Sequence, residues 1–213
     1  MPNAPDQTLP EGPSTLAAGH GRTQDQHPGP SPDQVTGPGW MPPPAADLLA
    51  PPGPARPQPL VTAPERGLRS FRTAASAWVW FTGCHGGAGE TTLAGLLPGS
   101  GATGRRWPEH TDGGMPAVVL VARTSASGLL AARTAATQWA AGDTPAVALL
   151  GLVLMPDAPG RLPKPLRDLA EHVAGGVPRC WHLPWVEQWR TGDTAGPRPT
   201  ARLFADLADL TQS

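Results

Sequence analysis

WVWFTGCHGGAGETTLAGLL, residues 78–97, reads as a short apolar strand, a glycine-rich loop and the start of a helix. Phosphate-binding loops are built in that order. Trp78, Val79, Trp80 and Phe81 supply the apolar, aromatic run of a buried strand. Gly83, Gly86, Gly87 and Gly89 let the backbone turn tightly and remove side chains that would bar a ligand. Thr91 and Thr92 then open a helix whose free N–H groups point back at the loop. The general phosphate loop is G-x-x-x-x-G-K-[ST]. Gly89 and Thr91 stand in register with it, but Glu90 occupies the lysine position and Cys84 the first glycine.

On these residues the chain resembles the ParA/MinD-like (SIMIBI-type) P-loop NTPases, whose loop runs K-G-G-x-G-K-T-T. HGGAGETT matches it at Gly86, Gly87, Gly89, Thr91 and Thr92. More closely, it is similar to degenerate, uncharacterised ParA/MinD-like proteins of high-GC bacteria, actinobacteria among them. The resemblance runs from about residue 76 to the end of the chain. It implies an α/β fold: a small, open, mainly parallel sheet with flanking helices. It also implies ATP or ADP with Mg²⁺, bound at Cys84, His85, Gly86, Gly87, Ala88, Gly89, Glu90, Thr91 and Thr92, with Thr91 Oγ1 on the metal. In the family, the lysine that His85 replaces reaches across a dimer to the partner's nucleotide. The lysine that Glu90 replaces holds the β- and γ-phosphates.

Exchanging a cation for an anion beside phosphates is costly. At about 4 Å and an effective dielectric near 20, each unit charge pair is worth roughly 4 kcal/mol, so the swing approaches about 8 kcal/mol as an upper bound. A helix dipole offers only roughly 0.3–2 kcal/mol. Loss of the lysine alone is expected to abolish normal hydrolysis. Glu90 has two readings: a carboxylate that stabilises a helix start, or one that fills the anion hole itself. His85 is either a titratable cation or a plain loop residue. Cys84 is either a thiol activated by the helix start or a small residue standing in for glycine or asparagine.

Composition bounds the rest. The chain has 213 residues, which suits one domain and a tail. Of its 29 prolines, 17 fall before residue 65. Residues 1–74 are therefore expected to be a disordered Pro/Gly-rich region, and residues 75–213 the folded domain. Within the tail, GWMPPPAADLLAPP at 39–52 is either a docking motif for a partner or a chance apolar cluster. ERGLRSFR at 65–72 reads as a helical lead-in or a solvated hinge. A net charge of −1 gives no global case for nucleic acid or an anionic membrane. Lys164 is the single lysine, so it alone could replace the missing loop lysine from within the chain. Two cysteines make no disulfide framework, and neither a leader nor a membrane span is apparent. A reduced, cytoplasmic protein is expected.

Beyond the loop, Leu93, Leu96 and Leu97 form a short helix's apolar face, and Pro98-Gly99 stops it. Residues 100–116 read as turns throughout. The resemblance implies a second strand and an acidic metal switch there, for which only Glu109 and Asp112 are candidates; with His110 they make a conceivable metal cluster. AVVLVA at 117–122 and ALLGLVLM at 148–155 are continuous apolar runs, the mark of buried parallel strands. Helices are expected at about 127–141, 166–174 and 200–210, a strand at 179–183 and one helical turn at 186–190. About four strands result, with ligand-facing loops at their carboxyl ends: 83–92, 123–127, 157–161 and 184–188. Trp181, Trp185 and Trp189 form either an aromatic platform for a base or partner, or core packing plus one exposed interface tryptophan. Arg161 and Lys164 either approach a phosphate or sit in a solvated turn.

The function expected is that of a non-hydrolysing or weakly nucleotide-binding regulatory or scaffold protein. It would meet a protein partner through the tail or sheet edge, or form a homodimer. The alternatives are an ATPase switch completed by a partner's arginine or by Lys164, and an interaction module with no nucleotide.

Overall fold

A computed structural model describes residues 53–192 and 200–212. The 39–52 island and most of the predicted tail lie outside the described residues. In chain order the elements are β1 (Arg69–Thr73), β2 (Trp80–Gly83), α1 (Glu90–Leu96), β3 (Gly101–Ala102), β4 (Arg106–His110), β5 (Ala117–Arg123), α2 (Ala126–Ala140), β6 (Ala148–Met155), α3 (Lys164–Ala174), β7 (Cys180–His182), a 3-10 turn (Glu187–Thr191) and α4 (Ala201–Gln212). Five strands form one parallel sheet in the order β3-β2-β5-β6-β7. The α/β class with a mainly parallel sheet and flanking helices is as expected.

Side-chain alternation along the strands builds the three layers. Val118, Leu120 and Ala122 of β5 face Leu129, Ala132 and Trp139 of α2, together with Ala170 and Val173 of α3. Val119 and Val121 face the other way, with Leu93 of α1 and Leu203 and Leu207 of α4. The central strands are apolar throughout because both of their faces are covered. At Leu150 the β5–β6 register slips by one residue. Gly151 follows the slip, where a Cβ would stand 2.4 Å from the Arg179 carbonyl oxygen.

Several expectations are corrected. The strand that enters the loop, β2, lies at Trp80–Gly83 rather than 78–81. Trp78 leaves the ladder because its N–H bonds the Gly99 carbonyl at 3.2 Å and its Nε1 bonds the Pro98 carbonyl at 2.9 Å. Residues 100–116, read as turns, contain β3 and β4. The basic run at 65–72 is neither helix nor hinge: β1 pairs with β4 as a separate parallel ribbon, Arg69 opposite Arg106 and Phe71 opposite Pro108. Seven strands, not four, are present among the described residues.

That ribbon also moves the predicted boundary at residue 74. Gly53 N bonds the Pro178 carbonyl at 3.1 Å, and Gln58 N bonds the Ala140 carbonyl at 2.8 Å. Gln138 fixes the ribbon to α2. Its Oε1 accepts from Leu68 N at 2.8 Å and Trp107 Nε1 at 2.9 Å, and its Nε2 donates to the Leu68 carbonyl at 3.0 Å. One buried amide thus meets the needs of groups 70 residues before it and 31 residues before it. α3 begins at Lys164 rather than 166 because Pro163 and Pro165 suit a first turn, where no N–H is required.

Candidate functional site

The loop between β2 and α1 turns on two glycines. Gly87 (φ 73°) and Gly89 (φ 107°) occupy the left-handed region. Gly89 also lies against Met155 at the end of β6, where a Cβ would meet Sδ at 2.3 Å. Gly86 and Gly87 face open space.

Glu90 does not point away from this loop. Its Oε2 accepts the Gly89 N–H at 3.1 Å. A Cβ on Gly83 would stand 2.7 Å from Glu90 Cδ and 2.8 Å from each carboxylate oxygen. The side chain therefore folds back across the loop and uses the room that Gly83 leaves. An N–H at the helix start, where a bound anion would find a donor, meets the chain's own carboxylate.

His85 and Arg123 tie the loop to β5. Arg123 N donates to His85 Nε2 at 3.0 Å, so Nε2 carries no proton, and Nδ1 donates to the Gly86 carbonyl at 2.9 Å. The Arg123 guanidinium donates from Nε to the Gly87 carbonyl at 3.2 Å and from Nη1 to the Pro156 carbonyl at 2.7 Å. Gly128 on α2 permits this meeting: a Cβ there would stand 2.3 Å from the Arg123 carbonyl oxygen and 2.9 Å from His85 Nε2. His85 thus acts as a strut between the loop and β5.

Cys84 is buried beside the loop. Burial pushes its thiol up to about 12; a backbone hydrogen bond at Val121 opposes the rise and the charge of Glu90 adds to it. Such a thiol is protonated at neutral pH and a poor nucleophile. Ala88 is buried, Thr91 exposed and Thr92 half-buried. No group of three or more His, Cys, Asp or Glu residues is placed to hold a metal among the described residues. Glu109 instead lies 3.8 Å from Arg72, and His110 Nδ1 lies 3.7 Å from Asp112.

The loops at the strand ends are partly brought together. Thr124 Oγ1 donates to Asp157 Oδ1 at 3.0 Å and accepts from Asp157 N at 3.3 Å, joining the ends of β5 and β6. Lys164 is engaged elsewhere, paired with Asp168 at 2.6 Å on the exposed side of α3. The three tryptophans divide. Trp181 is buried and donates from Nε1 to Asp206 of α4 at 3.0 Å. Trp185 and Trp189 line a cleft with Arg123, Met155, Pro156 and Arg190. Glu187 holds Trp185 Nε1 at 2.8 Å and Arg190 Nη1 at 3.2 Å.

Sequence reasoning missed Arg123 as a loop-holding residue. The available signal was a cation directly after an apolar strand, whose only neighbours at that edge are loops. The described residues thus form a three-layer α/β protein with a glycine loop at the carboxyl end of its sheet and a carboxylate folded into that loop. Residues 77–203 match a family of unknown function (DUF6668), and the chain belongs to that family. No curated protein and no solved structure matches it.

Proposed function

We propose that the protein is a degenerate ParA/MinD-like P-loop protein whose loop is occupied by its own Glu90, and that it works as a non-hydrolysing regulatory or scaffold protein. One observation carries the reading: the Glu90 carboxylate accepts the Gly89 N–H and fills the space above Gly83. A phosphate entering there must displace that carboxylate or lie beside it, and each unit of like-charge contact costs roughly 4 kcal/mol at an effective dielectric near 20. No lysine offsets this, since Lys164 is paired with Asp168. The Arg123 guanidinium, the cation nearest in the site's hydrogen-bond network, is committed to two carbonyls. ATP or ADP with Mg²⁺, with Thr91 on the metal, is then at most a weak ligand. Protein partners are met through the sheet edge or the N-terminal region, or are a second copy of the chain. Turnover of ATP by purified protein tests the proposal. It predicts none above background, and brisk hydrolysis that disappears in Thr91→Ala overturns it.

A further inference from the structure

The β1–β4 ribbon places Arg69 directly opposite Arg106, with Arg105 next in the chain. Neighbouring strands lie about 4.8 Å apart, and like charges opposed across them repel. An acidic neighbour would ordinarily relieve this. Among the described residues no carboxylate pairs with Arg69, Arg105 or Arg106, whereas Arg72 on the same ribbon has Glu109 at 3.8 Å. Arg106 stacks instead over the Phe71 ring at 4.6 Å, which steadies its guanidinium without neutralising it.

The three arginines line one cleft of about 550 Å³, completed by Gly67, Leu68, Gly104 and Cys84. Arg105 takes φ 31°, one of two non-glycine residues at positive φ among those described. Cys84 does not supply chemistry there, being a buried protonated thiol. The cleft is concave and of small-molecule size. The cationic track is also short, since Glu109 neutralises Arg72 at its far end. Both features favour a compact anion over a long polyanion.

We infer that this cleft is a binding site for a multiply charged phosphate, gripped by Arg69, Arg105 and Arg106. Guanidinium forks match phosphate oxygens two at a time, and a ligand with two or more negative charges relieves the repulsion that opposes Arg69 to Arg106. The phosphate could be free or carried by a nucleotide; the chemistry of capture is the same. The site uses none of the loop's hydrogen bonds and does not depend on how the loop is read.

Calorimetric titration of the full chain with inorganic triphosphate, and in parallel with ATP, tests this. One saturable site is expected for triphosphate, weakened about tenfold by Arg106→Gln or Arg105→Gln, since each change removes a charged guanidinium fork from the phosphate. Arg106→Lys should bind between the wild type and Arg106→Gln, because it keeps the charge but loses the fork. Arg133→Gln, an equal charge change at an exposed position of α2, should bind as the wild type does. Equal affinity for ATP and triphosphate identifies free phosphate as the sufficient ligand; tighter ATP identifies a nucleotide's phosphates. The inference is overturned by no saturable binding, by equal weakening in Arg133→Gln, or by poly-glutamate binding as tightly as triphosphate.

Discussion

Replacing Glu90 by Gln would keep one acceptor for the Gly89 N–H and remove the charge that lies across the loop. The fold should tolerate it, with a stability change within about 1 kcal/mol. Cys84 would feel the loss only slightly, because burial is the first cause of its raised pKa and Glu90 a lesser one. Native protein, wild type or Glu90→Gln, should therefore resist iodoacetamide at pH 7 at both Cys84 and Cys180, and label at both in denaturant. Rapid native labelling of Cys84 would mean that the thiol is neither buried nor held protonated. Much at this level could be read from the residues themselves: the glycine-rich turn after an apolar strand, and the acid standing where a lysine is usual. His85 was ambiguous because an imidazole's role follows from its partner. That partner, Arg123 N, lies 38 residues away.

The ribbon of β1 and β4 hangs on one amide. Gln138→Ala would leave Trp107 Nε1 and both Leu68 backbone groups without their partner. A buried group left unsatisfied costs about 1–3 kcal/mol, so roughly 3 kcal/mol should be lost in urea unfolding. Hydrogen exchange should quicken at Leu68 while β5 and β6 stay protected. An unchanged Leu68 rate would show that the ribbon is held otherwise. These two strands were not legible in advance. Arg69–Thr73 and Arg106–His110 are short, arginine-bearing and set among turn formers, and their pairing crosses 37 positions, so no local period announces them. By contrast β5 and β6 announce themselves, because a strand covered on both faces must be apolar at every position. Helix α2 starts at Ala126, a residue before the expected 127, because Ser125 caps it by accepting from Gly128 N at 3.2 Å.

Across the whole domain, stability should fall at both ends of the pH range for identifiable reasons. Burial lowers the pKa of His182 below 6.5, only partly offset by Glu171. The unfolded chain protonates this histidine near 6.5 while the folded one does not, so its contribution is full above that pH and is lost as pH drops below it. Cys84 and Cys180 act in the opposite direction. Burial raises both from 9.0 to about 12. Their contribution is full below pH 9 and fades as pH climbs toward 12, by roughly 3 kcal/mol in total at pH 10. Urea titrations at pH 5, 7 and 10 should show the maximum at 7. The alkaline slope should flatten in Cys84→Ala/Cys180→Ala and the acid slope in His182→Gln. Slopes unchanged in those variants would place the titrating groups elsewhere. The three-layer order itself was foreseeable from alternating apolar strands and amphipathic helices. How the segment from residue 53 onward joins it was not, because backbone contacts such as Gln58 N to the Ala140 carbonyl leave no mark in composition.

The most direct test of a loop filled from within is equilibrium binding of ATP with Mg²⁺ to protein with the native Glu90, Glu90→Ala and Glu90→Lys side by side, all three carrying Arg105→Gln and Arg106→Gln so that the ribbon cleft does not contribute. The protein with the native Glu90 should show little or no saturable loop binding. Glu90→Ala should recover some, and Glu90→Lys at least about tenfold more than the protein with the native Glu90, in line with several kcal/mol of removed repulsion and restored attraction. Affinity in Glu90→Lys as poor as in the parent protein would contradict the account, because self-occupation by Glu90 would then not be what keeps a nucleotide out.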